Sequence, residues 1–204
     1  MIYFFDSYES LNLDNAEALL PPDRYEKFLR LRQKRDKENC LAAYLLLKHA
    51  LKQYGIEDFS IKTGKHGKPY LDGGEMFFNI SHCRYGVAAA VSSSPVGIDI
   101  QNITEYKKSI AERVFSEEEI YYTESSENAD RAFTRLWTLK EAAAKCDGRG
   151  IAVLRDFSFE NCGERFTKYG RNFATFERKN LFISVCGNED FSDINEINSL
   201  EDFK

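Results

Sequence analysis

The segment "FTRLWTLKEAAAKCDGRG" (133–150) places three side chains with chemical potential on one face of a predicted helix. Trp137, Glu141 and Lys145 follow one another at intervals of four residues, and residues four apart lie one above the other on a helix. A glutamate four residues before a lysine forms a surface ion pair that stabilises a helix by about 0.2–0.5 kcal/mol. Spacing by itself favours this ion pair over an active site. The other side of the helix is rich in leucine and alanine, however, so neither face is plainly exposed.

The segment "VGIDIQ" (96–101) places Asp99 inside an otherwise apolar predicted strand. Because side chains alternate along a strand, Asp99 shares a face with Gly97 and Gln101. An unpaired buried carboxylate is costly, so Asp99 needs a partner. A hard cation and the N-terminus of the next helix are the two candidates.

Two further segments carry polar side chains at strand ends or in turns. Ser81 is the last residue of the strand-like run "MFFNIS" (76–81), and His82 follows it. No G-x-S-x-G motif surrounds the serine, so the two residues are interpreted as hydrogen-bond donors. The segment "GKHGKP" (64–69) sets Lys68 directly after Gly67, and the backbone N–H groups of glycines beside lysines are able to cradle phosphate. It lacks the residue order of a Walker loop, and a surface turn is the simpler interpretation.

The surrounding pattern predicts the elements that position these residues. A helix is predicted from Pro22 to about Tyr54, loop and turn over 62–74, and a helix over about 131–146. Ser116 and Glu119 fit a capping box, which explains them structurally, so they are assigned no chemistry. Strands are predicted at 2–6, 76–81, 86–92, 96–101 and in "DFSFE", "FATFER" and "LFISVCG". The gaps between the 76–81, 86–92 and 96–101 runs are short enough for antiparallel hairpins. This order predicts an α+β fold with two similar halves that meet near residue 100.

Composition and charge narrow the class of protein. The chain has 204 residues, 43% of them apolar and 30% charged, which is typical of a globular protein. Its five cysteines contain no C-x-x-C pair, so neither a disulfide framework nor a zinc site is predicted. Without a long apolar run or a cleavable leader, we expect a soluble cytoplasmic protein. Residues 24–37 carry seven Arg or Lys residues against two acidic ones, which suits either an anionic ligand or a solvated surface. Residues 188–204 are expected to form a poorly ordered acidic tail.

Six segments together resemble a known family. The runs "GKPYL", "FFNISH", "VGIDIQ", "FSEEE", "LWTLKEAAAK" and "GRGI" occur in the order and approximate spacing of the 4′-phosphopantetheinyl transferases. The chain resembles the larger, monomeric surfactin-synthetase-activating type. The resemblance implies two pseudo-symmetric α+β halves packed side by side, here 1–102 and 103–204, with coenzyme A and Mg²⁺ between them.

The resemblance also implies an activity and a site. The family transfers the phosphopantetheine arm of coenzyme A to a serine of an acyl or peptidyl carrier protein and releases adenosine 3′,5′-bisphosphate. By this likeness Glu141 is a metal ligand and the general base, and Lys145 meets the pyrophosphate and the departing group. The remaining implied residues are Asp99 and Gln101 at the metal, and Arg24, Lys27, Lys68, Ser81 and His82 around the coenzyme. No nucleic acid or membrane partner is expected, and the protein is expected to be a monomer.

Two positions depart from the family pattern. Gln101 stands where glutamate is usual, which removes one negative charge from the metal motif. "KENCLAA" offers Glu38 and Asn39 where the family commonly has an arginine, with Lys37 one position farther. These departures leave an alternative open, a non-catalytic module that binds coenzyme A or a carrier protein without transferring anything.

Overall fold

The computed structural model describes residues 1–64, 67–74 and 76–200 of the chain. These residues form the α-helices α1 (Ala16–Leu19), α2 (Pro22–Arg30), α3 (Lys34–Lys52), α4 (Lys108–Val114), α5 (Glu117–Ser125) and α6 (Ala129–Asp147). Short 3₁₀ turns cover Tyr8–Ser10, Leu13–Asn15 and Ile151–Asp156. The strands are β1 (Ile2–Phe5), β2 (Ile61–Thr63), β3 (Pro69–Leu71), β4 (Phe77–Cys83), β5 (Gly86–Ser92), β6 (Gly97–Asn102), β7 (Arg165–Lys168), β8 (Arg171–Arg178), β9 (Leu181–Gly187) and β10 (Asn195–Ile197).

The predicted α+β fold is confirmed, with the strands arranged in two larger sheets and a small hairpin. One sheet has the strand order β10-β1-β5-β4 and the other has the order β6-β9-β8-β7. Strands β2 and β3 pair with each other. Each larger sheet carries one nineteen-residue helix, α3 on the first and α6 on the second. The boundary between 1–102 and 103–204 stays a prediction.

Alternation along the strands explains how these layers stack. In β1 and β5, Tyr3 and Val87 belong to the core beneath α3, whereas their neighbours Ile2 and Ala88 face the second sheet. Ile98 of β6 joins this inter-sheet core. Because successive side chains of a strand point to opposite faces, both faces of each sheet are covered, and the order of layers is helix, sheet, sheet, helix.

Glycine at position 97 allows α6 to approach β6 very closely. A Cβ atom on Gly97 would lie 2.1 Å from the backbone oxygen of Ala142 and 2.3 Å from the nitrogen of Cys146. These distances are far below any contact a real side chain makes, so the helix backbone sits directly on the strand. Asp99 and Gln101 share the face of Gly97, and this packing therefore brings them under α6.

Several predictions of local structure are wrong. Loop and turn were expected over 62–74, but β2 and β3 form a hairpin there, with residues 65 and 66 of the "GKHGKP" segment outside the described residues. The long helix from Pro22 is two helices, since Leu31 and Gln33 between α2 and α3 are extended. No proline or glycine stands at this break, so helix propensity gives no signal for it.

The predicted antiparallel hairpin between the 76–81 and 86–92 runs is confirmed, since β4 pairs with β5. Three other expectations, about a second hairpin, a strand and the acidic tail, are wrong. The 86–92 and 96–101 runs do not form a hairpin, because β6 pairs with β9 of the second sheet. The "DFSFE" run follows a 3₁₀ turn and forms no strand. The part of the acidic tail that the structure describes is ordered, since β10 pairs in parallel with β1 and Leu200 is only 2% exposed.

Candidate functional site

The helix α6 points Trp137, Glu141 and Lys145 toward β6. The helix begins where the Asn128 side chain accepts a hydrogen bond from the Arg131 nitrogen at 3.0 Å, and it ends at Gly148, whose φ of 87° only glycine adopts readily. The predicted helix over 131–146 is thereby confirmed, with slightly longer bounds.

Lys145 lies at the centre of a small polar cluster. Its Nζ donates to Asp99 Oδ1 at 2.6 Å, to Ser81 Oγ at 3.1 Å and to the backbone oxygen of Ile98 at 3.2 Å. Ser81 Oγ in turn donates to Asp99 Oδ1 at 2.8 Å. Asp99 is 6% exposed, and its partner in this structure is the lysine rather than the N-terminus of a helix. The cluster joins one residue from β4, one from β6 and one from α6.

Glu141 lies close enough to this cluster to respond to its charges. Burial raises the pKa of the Glu141 carboxyl, the neighbouring Asp99 raises it further, and Lys145 lowers it. The first two effects arise because desolvation and a like charge both disfavour the ionised form. Two carboxylates therefore face a common space beside one ammonium group.

The carboxylates are suited to a hard cation that prefers oxygen ligands. Within 1–64, 67–74 and 76–200, no group of three or more His, Cys, Asp or Glu side chains could hold a metal ion. Mg²⁺ is nevertheless often bound by one or two carboxylates together with phosphate oxygens and water. Asp99 and Glu141 fit that smaller donor set, and the like-charge effect of Asp99 on Glu141 is what a bound cation would relieve.

Gln101 lies one step along the same face of β6. It lines a cavity of about 230 Å³ together with Thr134 and Trp137 of α6. The three α6 residues thus run parallel to β6, with Trp137 beside Gln101 and Lys145 beside Asp99. The amide of Gln101 is half-buried and adjoins the carboxylate pair along the strand, but its part in metal binding stays a prediction.

His82 follows Ser81 on β4 and is exposed on the rim of the cluster. Partial burial lowers the pKa of its imidazole, Lys145 and Lys27 lower it further, and Asp36 raises it. These influences place His82 between the Lys145 cluster and the basic helix α2. Lys27 is exposed on that helix.

Arg24 lies one turn before Lys27, with its guanidinium 5.7 Å from the centre of the Tyr44 ring. This distance is typical of a cation–π contact. Arg24 and Lys27 both lower the pKa of the Cys40 thiol, although burial raises it overall. The two basic residues therefore sit together above α3, on the His82 side of the molecule.

Lys68, directly before β3, contacts the end of α6. Its Nζ donates to the backbone oxygen of Lys145 at 2.5 Å and to that of Val96 at 3.2 Å. Burial is the main reason that the pKa of this ammonium is lowered. A cation at the C-terminal carbonyls of a helix is favourable, so Lys68 has a structural role that the sequence did not reveal.

A buried ion pair behind the site was also missed. Ser116 and Glu119 form the predicted capping box. In addition, Glu119 Oε2 accepts from Lys140 Nζ at 2.6 Å and Oε1 accepts from the Phe159 nitrogen at 2.9 Å, while Lys140 also donates to the Phe157 oxygen. Lys140 and Glu119 are 1% and 0% exposed. The sequence feature that indicates this buried pair is a lysine directly after Leu139, within the apolar stripe of α6.

The positions where the family commonly has an arginine serve packing. Asn39 Oδ1 accepts from the Tyr8 hydroxyl at 2.5 Å, and its Nδ2 donates to the Cys83 oxygen at 3.3 Å. Glu38 pairs with Arg35 at 3.1 Å. Lys37 lies 5.2 Å from the centre of the Phe28 ring. The contacts of Asn39 and Lys37 hold α3 against neighbouring elements, whereas the Glu38–Arg35 pair lies within α3.

Fold and site together define a mixed α+β protein with a carboxylate pair and a lysine between two sheet-and-helix units. The model of the 4′-phosphopantetheinyl transferase superfamily matches residues 95–193, a segment that contains Asp99, Glu141 and Lys145. The chain belongs to that superfamily, as its relatives also indicate.

Three relatives illustrate the extent of the similarity. A 4′-phosphopantetheinyl transferase of Bacillus subtilis is 33% identical over 150 residues, which are 70% of this chain and 66% of the relative. The 4′-phosphopantetheinyl transferase gsp of Aneurinibacillus migulanus is 33% identical over 136 residues, 64% of this chain and 57% of the relative. The 4′-phosphopantetheinyl transferase Sfp of Bacillus subtilis strain 168 is 32% identical over 146 residues, 68% of this chain and 65% of the relative. The chain thus spans somewhat less than two thirds of the length of these relatives.

Proposed function

We propose that the protein transfers the 4′-phosphopantetheine arm of coenzyme A to a serine of an acyl or peptidyl carrier protein. The reaction releases adenosine 3′,5′-bisphosphate and depends on Mg²⁺. The observation that carries this proposal is the cluster in which Lys145 lies 2.6 Å from Asp99 with Glu141 alongside. Membership of the superfamily and the transferase names of the relatives support it.

Asp99 and Glu141 would hold the Mg²⁺ through their carboxylate oxygens, and Gln101 would add an amide oxygen. When bound, the ion neutralises charge on the pyrophosphate of coenzyme A. The protein supplies a rigid support for these ligands, because Gly97 fixes the distance between α6 and β6. Ser81 orients the Asp99 carboxylate through the hydrogen bond to Oδ1 at 2.8 Å.

Lys145 would exchange Asp99 for the pyrophosphate when coenzyme A binds. Its ammonium is only partly buried, with the side chain 27% exposed, so it is within reach of a ligand at the surface of the cluster. Phosphoryl transfer relies on positioning and on charge stabilisation, and the leaving bisphosphate gains negative charge. The lysine stabilises that charge and is able to protonate the departing oxygen.

Glu141 would accept the proton of the attacking serine hydroxyl. Its carboxylate is half-buried on the side of α6 that faces Asp99, which makes it accessible to a carrier protein docked over the site. A general base of this kind contributes about 10²–10⁴-fold to a rate. The same carboxylate group has a second oxygen for the metal ion.

Coenzyme A would lie with its phosphates toward His82 and the basic residues of α2. Arg24 and Lys27 lie on that side, and the charges of Lys145 and Lys27 both lower the pKa of His82. Lys68 and Ser81 complete the set of predicted contacts. A carrier protein with an acidic surface would be attracted by the basic segment 24–37.

We infer that the protein acts as a cytoplasmic monomer without nucleic acid or membrane partners. Among the helices of the described residues, none is both long enough and apolar enough to span a membrane. The alternative, a module that binds coenzyme A without transferring its arm, is less well supported, because the residues that would perform the transfer lie in one cluster.

The proposal is tested by incubating the protein with coenzyme A, Mg²⁺ and a purified carrier domain. The carrier is expected to gain the mass of one phosphopantetheine arm, and a carrier whose acceptor serine is alanine is expected to gain nothing. Binding of coenzyme A without any mass gain, over a panel of fatty-acid, polyketide and peptide-synthetase carriers, would favour the non-catalytic module.

A further inference from the structure

Cys146 and Cys186 lie against each other at the C-terminal end of α6, and the proposed transfer uses neither. Cys146 is in the last turn of α6, and Cys186 of β9 is directly opposite Gly97 in the β6–β9 ladder. A Cβ on Gly97 would lie 2.3 Å from the nitrogen of Cys146 and 3.0 Å from its Cα. The missing side chain of Gly97 therefore brings Cys146 close to Cys186, and both cysteines belong to the core beneath α6. The Cys146 thiol donates to the backbone oxygen of Pro95 at 3.2 Å.

The surroundings of the pair favour a reactive Cys146. The neighbouring Cys186 thiol is the main cause that lowers the pKa of the Cys146 thiol; burial opposes this effect, and the charges of Arg171 and Lys68 add to it. The neighbouring Cys146 and burial both raise the pKa of the Cys186 thiol. A cation beside a thiol favours the thiolate, which is the nucleophilic form.

A path to the sulfur of Cys146 also exists. Cys146 is 3% exposed as a whole residue, yet it lines a cavity of about 390 Å³ together with Lys68, Asp147 and Pro95. A small neutral oxidant is able to enter a space of that size. Cys186 is fully buried.

The other three cysteines lack this arrangement. Cys40 packs against the core beneath α3, Cys83 belongs to the inter-sheet core, and Cys162 packs at the edge of the core beneath α6. Burial raises the pKa of each of these three thiols. All five cysteines are free in this structure.

We propose that Cys146 and Cys186 are a site of reversible oxidation, at which hydrogen peroxide joins the two sulfurs in a disulfide. The thiolate of Cys146 attacks one peroxide oxygen, the O–O bond breaks, and the leaving hydroxide takes up a proton to become water, which gives a sulfenic acid. The sulfur of Cys186 then attacks the sulfenic sulfur, the S–O bond breaks, and hydroxide leaves with the Cys186 proton as a second water. Two electrons pass from the two thiols to one peroxide molecule.

This disulfide would tie the last turn of α6 to β9. The same turn carries Lys145, whose backbone oxygen accepts the hydrogen bond from Lys68. The bond would therefore fasten the end of the helix where the two halves of the molecule meet. The inference does not rest on the proposed function, because it concerns the thiols and an oxidant alone.

The test is peptide mapping of the reduced, folded full-length chain after treatment with hydrogen peroxide at pH 7 and blocking of remaining thiols. The expected result is a loss of two hydrogen atoms in intact mass, a cross-linked peptide pair that contains Cys146 and Cys186, and full reversal by dithiothreitol. Cys146→Ser and Cys186→Ser should each abolish the cross-link, whereas Cys40→Ser should leave it unchanged. A parallel reaction in urea shows which cross-links require the fold.

Three outcomes would overturn the proposal. They are an unchanged mass, a cross-link between other cysteines in the folded chain, and oxygen addition to Cys146 without a bond to Cys186. Mapping of the wild-type chain decides among them even where a serine variant fails to fold. The alkylation rate of Cys146 by iodoacetamide, followed against pH, should rise at a lower pH than that of Cys40 and be absent from Cys146→Ser.

Discussion

Lys145 at the end of α6 and Asp99 in β6 form an ion pair across the helix–strand boundary, with Nζ 2.6 Å from Oδ1. The spacing of Glu141 and Lys145 on the helix predicts a different pair. The lysine lies on Asp99 because that carboxylate is almost fully buried, at 6% exposed, whereas Glu141 keeps access to solvent. A buried charge needs its partner more than a half-exposed one does.

Removing the lysine should therefore weaken the fold as well as the activity. Lys145→Met leaves Asp99 without its cation, and we expect the free energy of unfolding to fall by about 1–3 kcal/mol in urea titrations. Arg30→Met, which breaks an exposed pair with Glu26, is the matched control and should cost less than about 1 kcal/mol. The double variant Asp99→Asn, Lys145→Met should regain part of the loss. Equal effects of the two single variants would contradict the importance of the Lys145–Asp99 contact.

Gln101 offers a test of the metal site by a change that should strengthen Mg²⁺ binding. Gln101→Glu adds a carboxylate to the face of β6 that carries Asp99, so that the site has three carboxylates with Glu141 of α6. Half-maximal transfer should therefore need less Mg²⁺. Titration of activity against Mg²⁺ measures this directly. Thr104→Glu, which adds the same charge at the edge of the same cavity, is the control and should leave the Mg²⁺ requirement unchanged. An unaltered requirement in Gln101→Glu would remove this side chain from the ligand set.

The buried pair between Glu119 and Lys140 should respond as a unit. Either Glu119→Gln or Lys140→Met leaves one charge buried without its counter-charge, and we expect a loss of roughly 3–5 kcal/mol in the free energy of unfolding. The double variant should be more stable than either single variant, since no lone charge remains. A thermodynamic cycle from urea unfolding checks this. Additive losses in the double variant would show that the two side chains contribute independently.

The basic side of the site should recognise the 3′-phosphate of coenzyme A. His82→Ala should weaken coenzyme A binding about tenfold, the cost of one good hydrogen bond to a charged group. Binding of 3′-dephospho-coenzyme A should change little, because it lacks the group that His82 would contact. Calorimetry with both ligands measures the difference. Lys52→Ala, at the exposed end of α3, serves as the control, and an equal loss for both ligands in His82→Ala would place His82 elsewhere on the coenzyme.

Local patterns predicted the elements well where the hydrophobic period was clear. The helix over 131–146 and the strands over 76–81 and 86–92 were found with nearly the predicted bounds, since period and capping residues determine them. The Ser116–Glu119 capping box is likewise local and was confirmed. Family motifs selected Asp99, Glu141 and Lys145, whereas helix spacing alone favours a simple ion pair between Glu141 and Lys145.

The misses concern contacts between residues far apart in the chain. Whether β6 pairs with β5 or with β9 depends on the second sheet, which a four-residue gap does not reveal. The pairing of β10 with β1 and the burial of Leu200 likewise depend on residues that lie almost two hundred positions apart in the chain. Lys68 was expected only at a ligand, but its ammonium also holds the end of α6.

The most direct test of the account is transfer by Glu141→Gln. This change keeps the shape of the side chain and removes its charge, so we expect a folded protein that binds coenzyme A but transfers its arm at least about 10²-fold more slowly at saturating Mg²⁺. The mass of a carrier protein over time gives the rate, and Glu118→Gln, at an exposed position of α5, is the control with unchanged rate. Transfer by Glu141→Gln at nearly the wild-type rate would contradict the assignment of this cluster as the site of transfer.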